Sequence, residues 1–283
     1  MILTAIREYL RPASLGEAWA ALAERGRAAK PIGGGIDADR AMPPETTALV
    51  DLTGAGLTYV RVDEGVAIGA TTTFTEILES SPARVYLDGI LIEVLEGVAS
   101  PLQRNLGTIG GTLGSAHPWS DVIPLLLVLD AALVVYDGRK RTVPLAHYLA
   151  SRAGGDRPLI VELRLPEPSA ASACAFQKHC STGFDVAVLN CACFVSLERD
   201  RCATVRIAVG GTPALATRVD AAERELIGSR LNDSAIGRAA RQAAETIDAR
   251  DDRRATGAYR RELARIGVSR CLRQAADRLG DGQ

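Results

Sequence analysis

Arg104-Asn105-Leu106-Gly107-Thr108-Ile109-Gly110-Gly111-Thr112-Leu113-Gly114-Ser115-Ala116-His117-Pro118-Trp119-Ser120-Asp121 leads directly into an apolar run, Val122 to Leu129. Its four glycines let a backbone approach a ligand closely, and its hydroxyls fall at 108, 112, 115 and 120. Successive exposed N–H groups in such a loop form a nest for anions. Ser120 or Asp121 is placed to cap the helix that follows, with Pro124 in its first turn. The stretch therefore reads as a loop that wraps a phosphate and ends in a carboxylate able to hold a ribose hydroxyl. A tight turn between core elements would use the same residues, and the stretch alone leaves both readings open.

A second glycine loop lies upstream. Ala28 to Ile32 is expected as a short strand, and Gly33-Gly34-Gly35-Ile36-Asp37-Ala38 follows it. This hexapeptide matches G-x-G-x-x-A, with Asp51 near the position of a ribose-binding acid. A Rossmann loop, however, opens a long helix, and here Pro43-Pro44 comes within about two turns without a regular βαβ alternation. Two loops converging on one pyrophosphate would supply many donors without a long helix.

Outward from these loops the pattern is mixed. A helix over 11–25 opens on the capping box Ser14 to Glu17. Ala48 to Leu52 is a strand, and Tyr59–Val62 with Val66–Gly69 forms a hairpin. Short helices follow at Phe74–Leu78 and Ile90–Ala99, then a helix over 121–129 and a strand over 131–136 that turns back at Asp137-Gly138. Residues 151–157 and 166–173 are turn-rich. Beyond them come strands at 159–164, 174–178, 186–197 and 203–209, then helices at 221–226, 234–247 and 257–279. The expected division is 1–170, mixed α+β, and 171–283, a sheet followed by helices.

The bulk numbers exclude several classes. The chain has 283 residues, 47% hydrophobic and 24% charged, with a net charge of −1. No global field draws it to nucleic acid or to an anionic membrane. No run reaches the ~20 apolar residues of a membrane span, and Arg7 and Glu8 interrupt the apolar start where a secretory signal would continue. A cytoplasmic location is expected. None of the six cysteines forms a Cys-x-x-Cys pair, and Cys191 and Cys193 alternate within an apolar strand, so buried free thiols are expected rather than disulfides or a cluster. The three histidines, His117, His147 and His179, have no metal-like spacing, so no metal site is assigned. The only lysines are Lys30, Lys140 and Lys178.

Arg-Asn-x-Gly-Thr-Ile-Gly-Gly-x-Leu at 104–113, with Pro118 and Asp121 closing the loop, resembles the second flavin-binding motif of the FAD-binding (medium) subunit of molybdenum hydroxylases, the xanthine dehydrogenase and carbon monoxide dehydrogenase family. Gly33 to Ala38 occupies the place of that family's first motif. Ile68–Thr73, Ala208–Gly211 and Ala255–Arg261 resemble further family segments in the right order. The resemblance implies an α+β fold: an FAD-binding domain of the vanillyl-alcohol-oxidase (PCMH) type in two subdomains, then a C-terminal domain of sheet plus helices. It implies FAD bound by Ile32, Gly33, Gly34, Gly35, Ile36, Asp37, Thr108, Gly111, Thr112, Ser115 and Asp121, with Lys178 near the flavin and no catalytic acid–base residue in this chain. It implies a [2Fe–2S] small subunit and a molybdenum-cofactor large subunit as partners, in a dimer of heterotrimers. NAD+, a quinone or oxygen would take the electrons. Thr112 stands where many members have Asn, His117 and Trp119 where small or acidic residues are common, and the interval from Lys178 to Asp185 is one residue short. A stand-alone flavin oxidase or dehydrogenase of the same fold, and a non-enzymatic FAD-binding scaffold, are the competing functions.

Overall fold

The computed structural model describes residues 5–38, 42–151, 158–169 and 171–281. The turn-rich stretch at 152–157 and the expected boundary at 170 lie outside the described residues. Packing divides the chain into two units that are not continuous in sequence. One holds residues 1–83, 100–115 and 132–165; the other holds 84–99, 116–131 and 166–283. The first glycine loop and residues 104–115 thus belong to the first unit, and residues 116–121 to the second.

The first unit contains two sheets. Strands β1 (Glu8–Leu10), β2 (Ala29–Ile32) and β3 (Ala48–Asp51) form a parallel sheet in the order β1-β3-β2. Helix α1 (Leu15–Arg25) packs Ala18 against Ala29, Ala48 and Val50. Ser14 Oγ caps it by accepting from the Glu17 N–H, while the Glu17 carboxylate accepts from the Ala13 N–H rather than from Ser14. The capping box is therefore offset by one residue. Strands β4 (Val60–Val62), β5 (Gly65–Gly69), β6 (Ala132–Tyr136), β7 (Lys140–Pro144) and β8 (Leu159–Pro166) make a five-stranded sheet, β4-β5-β8-β6-β7. Helix α2 (Phe74–Glu79) follows β5 and helix α8 (Leu145–Ala150) follows β7, both in the first unit; α3 (Ser81–Val85) has its first three residues in the first unit and its last two in the second, and α4 (Ile90–Glu96) belongs to the second.

The stretch expected as a single loop begins on the last residue of helix α5 (Pro101–Arg104) and contains helix α6 (Ile109–Ser115). Its glycines hid α6, since each costs a helix about 1 kcal/mol. Tertiary bonds offset that cost. Thr108 pairs with Thr73 as an isolated bridge, the Ile109 N–H donates to Thr72 O at 3.1 Å, and the Gly110 N–H to Ala70 O at 2.9 Å. Thr108 Oγ1 caps the helix, accepting from the Gly111 N–H at 3.1 Å.

In the second unit, β9 (Ser172–His179), β10 (Leu189–Glu198), β11 (Arg201–Gly210) and β12 (Thr217–Arg218) form an antiparallel sheet, β12-β11-β10-β9. Alternation along β10 sorts its side chains to two faces. Cys191, Cys193 and Val195, with their partners Val209, Ile207 and Val205, join one core. It is built with the buried sides of α9 (Asp220–Arg224), α10 (Asp233–Thr246) and α11 (Gly257–Asp281). The opposite face meets the fully buried helix α7 (Val122–Val128), which lies on β10 and β11. Arg206 donates to the α7 terminal carbonyl of Val128 at 3.2 Å, a cation at the negative end of the helix dipole. Among the described residues no helix is long and apolar enough to cross a membrane.

All six cysteines are free, and all but the half-buried Cys180 are buried. Burial pushes the Cys174 thiol up to about 12 and raises Cys193 as well. Thiolate is the reactive form. Iodoacetamide at pH 8 on the native protein is therefore expected to label Cys180 alone within minutes and the other five only after denaturation, as read by peptide mass spectrometry.

Candidate cofactor site

In the first unit the two glycine segments touch. Gly33-Gly34-Gly35 follows β2 directly, so the end of a parallel strand delivers it. A Cβ on Gly34 would lie 1.5 Å from Leu106 O, and one on Gly33 would lie 2.5 Å from Thr108 Oγ1. Only hydrogen fits at either place. Gly35 has space around it but holds φ +75°, a left-handed conformation that glycine adopts without strain. Among the described residues the N–H groups of Gly34, Gly35 and Ile36 have no hydrogen-bond acceptor.

The second segment spends its backbone donors internally. The N–H groups of Ile109, Gly110, Gly111 and Thr112 go to Thr72 O, Ala70 O, Thr108 Oγ1 and Thr108 O. The glycine pattern predicts outward N–H groups in both loops; here the first loop has the unused donors and the second offers hydroxyls. Thr108 Oγ1 already accepts a hydrogen bond, so its proton remains available to donate. Thr112 and Ser115 follow on α6, both half-buried, and Ile36 is exposed. Three consecutive unused N–H groups, a close approach that a Cβ on Gly33 or Gly34 would block, and a neighbouring hydroxyl fit the phosphate oxygens of a dinucleotide such as FAD.

In the second unit Asp121 and Lys178 come together. Lys178 Nζ lies 2.7 Å from Asp121 Oδ2 and donates to Gly97 O at 3.0 Å. The side chains are 13% and 7% exposed, so the pair is shielded from solvent. Asp121 sits at the N-cap position of α7, yet its side chain makes no capping bond. Its other oxygen accepts instead from Asn190 Nδ2 at 2.8 Å, which corrects the expected capping role. Burial pushes the Asp121 carboxyl above its ordinary 3.8, opposed by the Lys178 ammonium and the Asn190 amide.

Asn190 is the residue that sequence reasoning missed. It pairs with Lys178 across β9 and with Gly210 across β11, so these three positions share the face that meets α7. Two signals were present: a lone amide inside the apolar run 186–197, and an odd spacing that turns it away from Cys191 and Cys193. The register against Lys178 was not in the sequence.

His117 stacks on Trp119 at 4.6 Å and 7°, and the Arg254 guanidinium lies 5.4 Å from the centre of the Trp119 ring. The two departures from the family pattern thus pack on each other. Asp51, the acid of the rejected Rossmann match, is engaged by Tyr9 at 2.7 Å and by Thr53.

Residues 4–168 match the family model described as FAD binding domain in molybdopterin dehydrogenase, and residues 175–275 match the CO dehydrogenase flavoprotein C-terminal domain. The chain is 32% identical to the 6-hydroxypseudooxynicotine dehydrogenase complex subunit alpha of Paenarthrobacter nicotinovorans, over 96% of this chain and 95% of that one. Among solved structures it is similar to a chain of carbon monoxide dehydrogenase from Hydrogenophaga pseudoflava, with a TM-score of 0.90 at 29% identity, covering 96% of this chain and 98% of the other. It is also similar to a chain of quinoline 2-oxidoreductase from Pseudomonas putida 86, with a TM-score of 0.85 at 27% identity, covering 95% and 96%. The glycine cradle, the two-part architecture and the two matches in chain order lead to one assignment: this chain belongs to the family of FAD-binding medium subunits of molybdenum hydroxylases, the flavoprotein component of a molybdenum-containing oxidoreductase.

Proposed function

We propose that the chain holds one FAD and serves as the electron-transfer subunit between a [2Fe–2S] subunit and a terminal acceptor. The observation that carries this reading is the run of unused N–H groups at Gly34, Gly35 and Ile36, on a loop whose glycines abut Leu106 and Thr108. Those N–H groups and the Thr108 hydroxyl donate to the diphosphate, with Ile32, Gly33 and Asp37 flanking them and Gly111, Thr112 and Ser115 completing the second segment. Fixed donors in a close-fitting loop need no reorganisation to hold an anion.

Asp121 accepts from a cofactor hydroxyl. Each of its oxygens receives one donor inside the second unit, and a carboxylate has room for more. Lys178 places a positive charge at this carboxylate, offsetting the cost of burying it. Bound FAD supplies the capacity to take electrons singly and release them in pairs. The protein supplies binding and electrostatics.

The resemblance to medium chains of multi-subunit dehydrogenases supports a small [2Fe–2S] subunit and a large molybdenum-cofactor subunit as partners, assembled as a dimer of heterotrimers, with NAD+, a quinone or oxygen as acceptor. Six free thiols fit the reducing cytoplasm.

The test is the visible spectrum of the purified chain, with chromatography of what heat releases. Bands near ~375 and ~450 nm and about one FAD per chain are expected of a bound flavin. A protein that is colourless and takes up no added FAD, alone or with its partner subunits, overturns the reading.

A further inference from the structure

We infer that Asn190 is a positioning residue for the Asp121 carboxylate. The inference rests on the proposed reading of Asp121 as a cofactor-binding residue.

Asn190 is 0% exposed, the second residue of a core strand. Its Nδ2 donates twice: to Asp121 Oδ1 at 2.8 Å and to the Ser120 carbonyl at 3.0 Å. One amide thus grips both the backbone and the side chain at the end of the glycine motif. Rotating the amide by half a turn would set Oδ1 against two acceptors, so its orientation is settled by its partners. Asn190 Oδ1 then has no donor, although it is buried. An unpaired buried acceptor is costly, and an apolar residue of the same volume would avoid that cost. The neighbouring strand makes room for the amide: a Cβ on Gly210 would lie 2.5 Å from Asn190 Oδ1 and 3.1 Å from Pro124. The sheet therefore accepts an orphaned oxygen and a glycine to keep one amide N–H₂ group on Asp121.

Lys178 cannot take over this task. Its ammonium is a point charge on a flexible stem and tolerates many carboxylate rotations. The amide, anchored on Ser120 O, selects one. Lys178 supplies charge and Asn190 supplies direction. A carboxylate held by an amide that is itself anchored on Ser120 O meets a cofactor hydroxyl without first being ordered.

The experiment is a double-mutant cycle on the FAD dissociation constant of the purified chain, using Asn190→Leu, Asp121→Ala and the pair, with the thermal midpoint of each FAD-free variant measured alongside. Asn190→Leu is expected to weaken FAD binding about tenfold, the lower end of what losing the group that orients a metal-ligating side chain costs. Asp121→Ala should weaken it at least as much, and the double variant should match Asp121→Ala to within about twofold, because residues acting through one another are not additive. A full additional loss from Asn190→Leu in the Asp121→Ala background, or no effect of Asn190→Leu where Asp121→Ala weakens binding, overturns the inference and leaves the reading of Asp121 standing. FAD affinity unchanged by Asp121→Ala removes the reading of Asp121 and the inference with it. Should the leucine variant fail to fold, Asn190→Ser carries the same cycle with a small polar side chain at the same register.

Discussion

Gly34→Ala is expected to cost the protein its FAD and to lower the thermal midpoint of the first unit by roughly 5–10 °C, the shift that about 3 kcal/mol produces in a chain of this size. The added carbon would fall 1.5 Å from Leu106 O, which is backbone and cannot swing aside as a side chain could. Either β2 or residues 104–107 must move, and either movement pulls the two glycine segments apart. Gly35→Ala makes the contrast. Nothing lies within 4 Å of its Cβ, and the cost is only that of placing alanine at φ +75°, about 1 kcal/mol. FAD content by absorbance and calorimetric scans of both variants check this. Equal losses from the two substitutions would show that the contact with Leu106 does not set the geometry of the cradle.

Lys178→Met is expected to destabilise the second unit by about 3 kcal/mol at pH 7, because it leaves a buried carboxylate without its counter-charge. The pH dependence has a definite sign. Burial has already raised the Asp121 carboxyl above 3.8, and losing Lys178 raises it further. An acid whose folded value lies above its unfolded value contributes most below the unfolded value, and that contribution is lost as pH rises through the folded one. The variant should therefore approach the parent near pH 4 and fall away from it as the pH climbs toward neutral. Asp121→Asn in the Lys178→Met background removes the charge and should recover most of the loss at pH 7. Urea midpoints of the three proteins across this pH range provide the check. A loss independent of pH, or no recovery in the double variant, would mean that Lys178 stabilises through its packing alone.

Much of the fold was legible because period and punctuation agreed. The strand at 29–32, the hairpin around Asp63–Gly65, the helix over 122–128 and the long final helix all stand close to where pattern placed them. The misses have physical causes. Helix α6 carries three glycines and exists because Ala70, Thr72 and Thr73 satisfy the segment from outside it. Strand β1 is three residues long and is held by parallel pairing with β3, nearly forty residues away, which no local window contains. The pattern offers Ser120 or Asp121 as the cap of the apolar helix that follows, yet a buried lysine and amide each engage one Asp121 oxygen.

The two glycine segments, the family they resemble, the strand-then-helix order of the C-terminal half, and the candidacy of Asp121 and Lys178 are all readable from the residues alone. These are local properties: composition, spacing and periodicity reside in neighbouring residues. Three-dimensional packing is needed to show that residues 116–131 group with the C-terminal half, that the unused N–H groups lie in the first loop rather than the second, and that Asn190 on its strand meets Asp121 at the start of the helix packed on it. Each of these depends on which distant carbonyl or side chain meets a given donor. Strand register decides that, and a one-residue slip of β10 would turn Asn190 into the helix-packed core and aim a cysteine at Asp121.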